Sequence, residues 1–203
     1  MRVIISVFNA VTGSVRVLLR ANRIVSGKID RLEKADPASK YRDDGRSQLP
    51  EAFLMRHLEE ELARREVIEG KAKTNVLGIT LAFSAMFAGV ALISSNSTIS
   101  GSCVDWWVWL LLGLLLIGGL FLLTGGALAL SALRIAKIYT WTPEDEVKHT
   151  APEARAVRVL WYLELNQEVT RLKTNQVDAS YSCIRNGVMA LAGAAIVMGL
   201  FRL

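Results

Sequence analysis

Histidine and cysteine are almost missing from this chain: His57, His149, Cys103 and Cys183 are the whole supply. Neither histidine has a cysteine or a second histidine at ligand spacing, so no metal site is assigned. No cofactor-binding motif is found either. Proline is scarce too. Pro37, Pro50, Pro143 and Pro152 leave residues 51–142 and 153–203 without one, which removes the commonest interruption of a long helix. Charge is missing in two places. No charged side chain occurs from Asn75 to Val104 or from Trp106 to Leu133, although the flanking segments are dense in them. Totals of 52% apolar and 21% charged residues fit many folds; the distribution decides, because water cannot be the solvent for both kinds of segment.

What is present instead is apolar sequence of membrane-spanning length. Val76 to Ser95 supplies about 20 residues, enough to cross a hydrocarbon core of ~30 Å. Trp106 to Ala136 is longer, with Trp106, Trp107 and Trp109 at one end and Tyr139 and Trp141 at the other, the aromatic types that favour the lipid interface. Its excess length needs tilt, protrusion, or a bend at Gly118-Gly119 or Gly125-Gly126. Ile184 to Phe201 makes a third, shorter span, with Arg185 near its start able to snorkel.

The expected fold is therefore an all-α integral membrane protein with three transmembrane helices, two of which continue into long cytoplasmic helices, plus an amino-terminal amphipathic helix. Fifteen lysines and arginines precede the first span, the 95–105 stretch has none, eight lie between Arg134 and Arg185, and Arg202 completes the 24. The positive-inside rule then places the amino terminus and residues 134–185 in the cytoplasm. In that topology Cys103 and Cys183 cannot meet within one chain.

Segment by segment, residues 1–26 read as a basic amphipathic helix. Arg16, Arg20 and Arg23 continue a polar stripe opposite Ile4, Val7, Val11, Val15 and Leu18, a helix suited to the lipid interface or to packing on other cytoplasmic helices. Residues 27–49 read as a charged linker. Residues 50–95 form a proline-led cytoplasmic helix running into the first span, 96–105 an outside loop, 106–139 the long second span, and 140–203 a second cytoplasmic helix running into the third. Within this last part, Glu144-Asp145-Glu146 after Thr142-Pro143 suits the first turn of a helix, where carboxylates complement the dipole. Apolar stripes at Leu54, Leu58 and Leu62, and at Val157, Trp161, Leu165 and Val169, are packing seams that serve either this chain or an oligomer. Lys-Thr-Asn occurs at both membrane boundaries, at 73–75 and 173–175, a coincidence compatible with duplication or with two similar interfaces.

Inside the spans small residues recur at four-residue spacing: Gly78 and Ala82, Ala85 and Gly89, Gly125 and Ala129, Ala190 and Ala194, Ala195 and Gly199. Such pairs let helices approach closely and predict tight bundling and a homo-oligomer. The spans have only Thr80, Ser84, Thr124 and Ser131 as main polar side chains, without a mid-bilayer Asp, Glu, Lys or His to couple ions or protons. That argues against a secondary transporter. Glu59, Glu60 and Glu61 are consecutive and point to different faces, so they form no catalytic dyad, and no catalytic residue is assigned: the chain does not read as an enzyme. A net charge of +5 is ordinary for positive-inside loops, so direct nucleic-acid binding is not expected.

The layout of a charged helix passing through a lysine-containing boundary into a span, in Glu66 to Ile93 and again in Asn166 to Met198, resembles small bacterial membrane effectors of antiphage signalling, the SLATT-like and Pycsar-type groups. The resemblance covers roughly residues 50–203 and rests on architecture. It implies a channel-like or membrane-disrupting antiviral defence protein that assembles when a partner or nucleotide signal arrives. The chain departs from that pattern in having no recognisable nucleotide-binding domain. The alternative expectation is a non-conducting membrane scaffold or accessory subunit that recruits a cytosolic protein partner.

Overall fold

A computed structural model of the chain describes residues 18, 20–41, 45, 49–96, 106–148 and 151–202. Arg16, with most of the expected amphipathic helix, and the 97–105 loop with Cys103 lie outside the described residues, as does the side chain of Trp107. Six helices appear among those residues: α1 (20–34), α2 (Pro37–Tyr41), α3 (Glu51–Asn96), α4 (Trp106–Arg134), α5 (Pro143–Lys148) and α6 (Pro152–Arg202). Three of them, α3, α4 and α6, are long and apolar enough to cross a membrane. The chain divides into two compact units. One comprises Met1–Gly70 with Ala132–Gln176, the other Lys71–Ser131 with Val177–Leu203.

In the first unit α6 is packed on two sides. Leu54 and Leu58 of α3 bury against Ala156, Val159, Leu160 and Tyr162, with Leu62 half-buried beside them. Val25, Ile29 and Leu32 of α1, spaced to share one helical face, bury against Leu165 and Val169. The expected seams thus meet partners inside the chain: the α3 stripe meets α6, and the Leu165 and Val169 part of the α6 stripe meets α1. Residue numbers fall along α1 as they rise along α6, since the Trp161 indole N–H donates to the Leu32 carbonyl at 2.9 Å while Lys28 reaches Glu168 at 2.6 Å. α1 is therefore antiparallel to α6.

Among the described residues of 27–49, the stretch expected as a charged linker is helical over 27–34 and again over Pro37–Tyr41. Helix α1 runs through to residue 34, and Asp36 then caps α2 by accepting from the Ala38 and Ser39 N–H groups at 3.2 and 3.3 Å, with Pro37 at the first helical position. Tyr41 ends that helix almost wholly buried. The charges of this stretch lie on its outer face while Ile29, Leu32 and Tyr41 supply the inner one, which a count of charges alone does not reveal.

The second correction concerns α4, expected to reach residue 139. It stops at Arg134, and residues 135–142 run on without helix, because side chains from other helices take their backbone groups. The third is that 140–203 is two helices. Thr142 and Asp145 form a capping box at α5, the Asp145 carboxylate accepting from the Thr142 N–H at 3.1 Å and hydroxyl at 2.9 Å, and α6 restarts at Pro152.

In the second unit α4 lies antiparallel to both neighbours. Its Gly126 and Gly119 face Ile79 and Met86 of α3, while its Gly125 and Gly118 face Ser180 and Gly187 of α6. Both glycine pairs that suggested a bend are contact points within a continuous helix.

Candidate functional site

Two constructions concentrate the polar and close-contact chemistry of the described residues, one in each unit. In the first unit the residue spacing on α3 places Arg65 and Glu69 on one face, and the buried Arg65 guanidinium donates to Glu69 at 3.1 Å. Glu69 also pairs with Lys173 of α6, whose side chain is only 1% exposed. The remaining guanidinium N–H groups of Arg65 donate to the carbonyls of Ile135, at 3.1 Å, and Lys137. Seven residues earlier on α6, buried Asn166 accepts from the Tyr139 N–H at 3.3 Å and donates to the Tyr139 carbonyl at 2.6 Å. Segment 135–139 is thus held by side chains acting as a neighbouring strand would. Lys137 and Tyr139 then reach out to Glu33 of α1.

Electrostatics follow the geometry. Hydrogen bonding from Lys173, supported by Arg65, holds the Glu69 carboxyl below its usual range, while burial pushes the Lys173 ammonium down. Lys137 and Tyr139 lower Glu33 in the same way. Burial, with the adjacent Glu33 charge, raises the Tyr139 phenol. Burial works against the Asp145 carboxylate, but bonds from Thr142 and Tyr162 and the charge of Arg158 more than offset it and its pKa is lowered. Chemically the arrangement is a clasp: it joins the segment leaving α4 to α1, α3 and α6, and α3 cannot slide along α6 without separating buried charges.

In the second unit the polar groups close helix contacts. Asn75 donates to the Val177 carbonyl and the Ser180 hydroxyl, both at 3.3 Å, and Ser180 donates to the Gly125 carbonyl at 2.8 Å. A hydroxyl can bond a carbonyl of another helix only where the backbones nearly touch, and the glycines allow it. A Cβ on Gly125 would meet the Ser180 carbonyl at 3.1 Å, and one on Gly187 would meet Leu122 at 3.0 Å and the Gly118 carbonyl at 3.1 Å. Thr80, Ser84 and Thr124 bond back to carbonyls four residues earlier on their own helices.

Measured against the sequence reading, the packing residues divide. Gly125, Ala129 and Ala194 are buried, and Ala82 and Ala190 half-buried. Ala85 and Ala195 are exposed, and Gly78, Gly89 and Gly199 have no neighbour where a Cβ would stand, so they pack nothing within the chain. Of the interface aromatics, Trp106 and Trp109 are exposed. Tyr139 and Trp141 are half-buried against the α3/α6 cluster: with α4 ending at Arg134, these two residues turn back onto protein. Arg20 and Arg23 are exposed. The two Lys-Thr-Asn tripeptides differ, Lys73 being exposed and Lys173 buried. Arg65, Glu69, Asn166, Gly118 and Gly187 escaped notice as site residues. For the glycines a signal existed in the seven-residue spacing of Gly118 with Gly125 and Gly119 with Gly126. Comparison of the chain with protein-family models, with curated proteins and with solved structures finds no match.

Proposed function

We propose that this protein is a regulated, self-assembling membrane effector, whose charged helical unit faces the cytoplasm and controls the association of its apolar helices in a bacterial inner membrane. The observation that carries the reading is the contrast among glycines: Gly118, Gly119, Gly125 and Gly126 of α4 are filled by neighbours of the same chain, while Gly78, Gly89 and Gly199, like Gly113 at the other end of α4, open onto nothing. Around them stand Leu77, Leu81, Ile196 and Leu200, each more than 60% exposed. Such a surface suits lipid, and open glycines in lipid suit another helix. Association would bring copies together through α3 and α6, and the resemblance to antiphage effectors supports a consequence for membrane integrity. The clasp is the element through which a cytosolic partner would act, since moving α1 or the 135–142 segment strains it.

The test is graded expression in bacterial cells with a potential-sensitive dye, dye exclusion and native-gel size read together. Depolarisation that tracks the oligomer and disappears in Gly78→Leu and Gly89→Leu variants supports an effector. A second reading, a non-conducting scaffold, has its own observation: Thr80, Ser84 and Thr124 are all turned back on their helices, so one copy lines no polar path. An oligomer that leaves potential and dye exclusion untouched under every level of expression selects the scaffold.

A further inference from the structure

The charged residues of the first unit are sorted by position. Away from its chain-crossing end most cations have carboxylates, Arg31 and Lys34 excepted: Lys28 with Glu168, Lys40 with Glu164, Arg56 with Glu60, Lys148 with Glu144, Arg158 with Asp145. At the level of Lys173 and Glu69 the chain leaves this unit for its apolar stretches, at Gly70, Ala132 and Gln176. Antiparallel packing puts the start of α1 at this same level, because Leu32 lies by Trp161 and Lys28 by Glu168. Continuing that register sets Arg20 and Arg23 beside the turn of α6 that bears Arg171. Arg134 joins them, since the next residue, Ile135, gives its carbonyl to Arg65. All four arginines are exposed, and among the described residues none has an ion-pair partner. The opposing carboxylates are few there: Glu69 is taken up by Lys173 and Arg65, leaving exposed Glu66 and, just past Gln176, exposed Asp178.

We propose that Arg20, Arg23, Arg134 and Arg171 form a collar that binds the phosphates of anionic phospholipid. Guanidinium groups suit phosphate because their planar fork presents paired N–H donors, and a cluster of this size beside a span is drawn to an anionic leaflet. The collar rests on the membrane reading given above. Its place in the fold gives it a role, since lipid bound there would hold the start of α1 against the end of the clasp.

The full chain in detergent is offered equal amounts of phosphatidylglycerol and phosphatidylcholine with matched acyl chains, and retained lipid is counted by native mass spectrometry. Phosphatidylglycerol is retained preferentially, and each Arg→Gln change at the four positions lowers that preference by about fivefold, in variants whose helical circular dichroism is unchanged. Arg56→Gln and Lys148→Gln leave it intact, and millimolar inorganic phosphate does not displace the lipid. Equal retention of both lipids, persistence of the preference in the fourfold variant, or displacement by inorganic phosphate overturns the collar. Failure of the membrane reading looks different: no lipid is retained and the chain is monodisperse in water without detergent.

Discussion

Glutamine at position 69 would keep the shape of the side chain and remove the one charge that two buried cations share. Lys173 is 1% and Arg65 5% exposed, while Glu69 itself is 32% exposed. Breaking a buried pair by deleting one partner costs roughly 3–5 kcal/mol, and the partial access of water to Glu69 sets the expected loss near the bottom of that range, about 3 kcal/mol. For a chain of this size that corresponds to a fall in Tm of about 6–12 °C. Lys173→Met should behave oppositely, since it removes a buried ammonium and leaves Arg65 paired with Glu69; a cost below about 1 kcal/mol is expected. The double variant then costs less than the sum, with a coupling of about 2 kcal/mol. Thermal unfolding in detergent, followed by tryptophan fluorescence, reads all three, because Trp161 and Trp141 lie in this unit. If Glu69→Gln is milder than Lys173→Met, or the two changes add, the clasp does not hold by charge.

Three further expectations follow from the same contacts. Asn166→Leu strips the Tyr139 N–H and carbonyl of their partner at a cost of about 2–3 kcal/mol, and hydrogen exchange should accelerate at residues 135–142 while α6 stays protected. Gly187→Leu has no room against Leu122 and the Gly118 carbonyl and should destabilise the chain or prevent its recovery, whereas Gly78→Leu should leave the Tm of the single chain within about 1 kcal/mol and change only oligomer size. Glu33, Glu69, Asp145 and Glu164 all have lowered pKa values in the folded chain; their contribution is full above the ordinary carboxylate range and is lost as pH falls through the lowered values. Tm should therefore hold from neutral pH to about 5 and drop below about 4, and a drop that begins near neutrality would point to other groups.

The apolar helices were legible because hydrocarbon length and absence of charge are properties of a contiguous stretch, which needs no partner to be recognised. The clasp was not, because its meaning depends on what faces it. Lys173 read as a boundary lysine like Lys73, and only the approach of Glu69, 104 positions away, makes one buried and the other exposed. Asn166 is a partner for a segment expected to be helical. Tyr139 and Trp141 suited a lipid interface by type, and pack on protein because Arg65 and Asn166 draw the chain back. Charge counts misjudged residues 27–41 for a similar reason: one apolar face is enough to fold a helix onto a core, however charged the other three sides are.

Adjacent glycines do something on α4 that four-residue pairs cannot. Consecutive residues point about 100° apart on a helix, so Gly118 and Gly119 serve different neighbours, and so do Gly125 and Gly126 seven residues on. Two seams result, one toward α6 and one toward α3, each repeating at the interval that keeps antiparallel helices in register over two turns. This spends those four glycines on their own chain, whereas Gly113 of the same helix has no such neighbour. A third of the most apolar window of α4 is buried as a consequence, against 6% for α3 and 17% for α6. Helices α3 and α6 each run without interruption from the clasp into their apolar stretches. The same two helices also carry Arg65, Glu69, Asn166 and Lys173, so a change at any of these four side chains acts directly on α3 or α6.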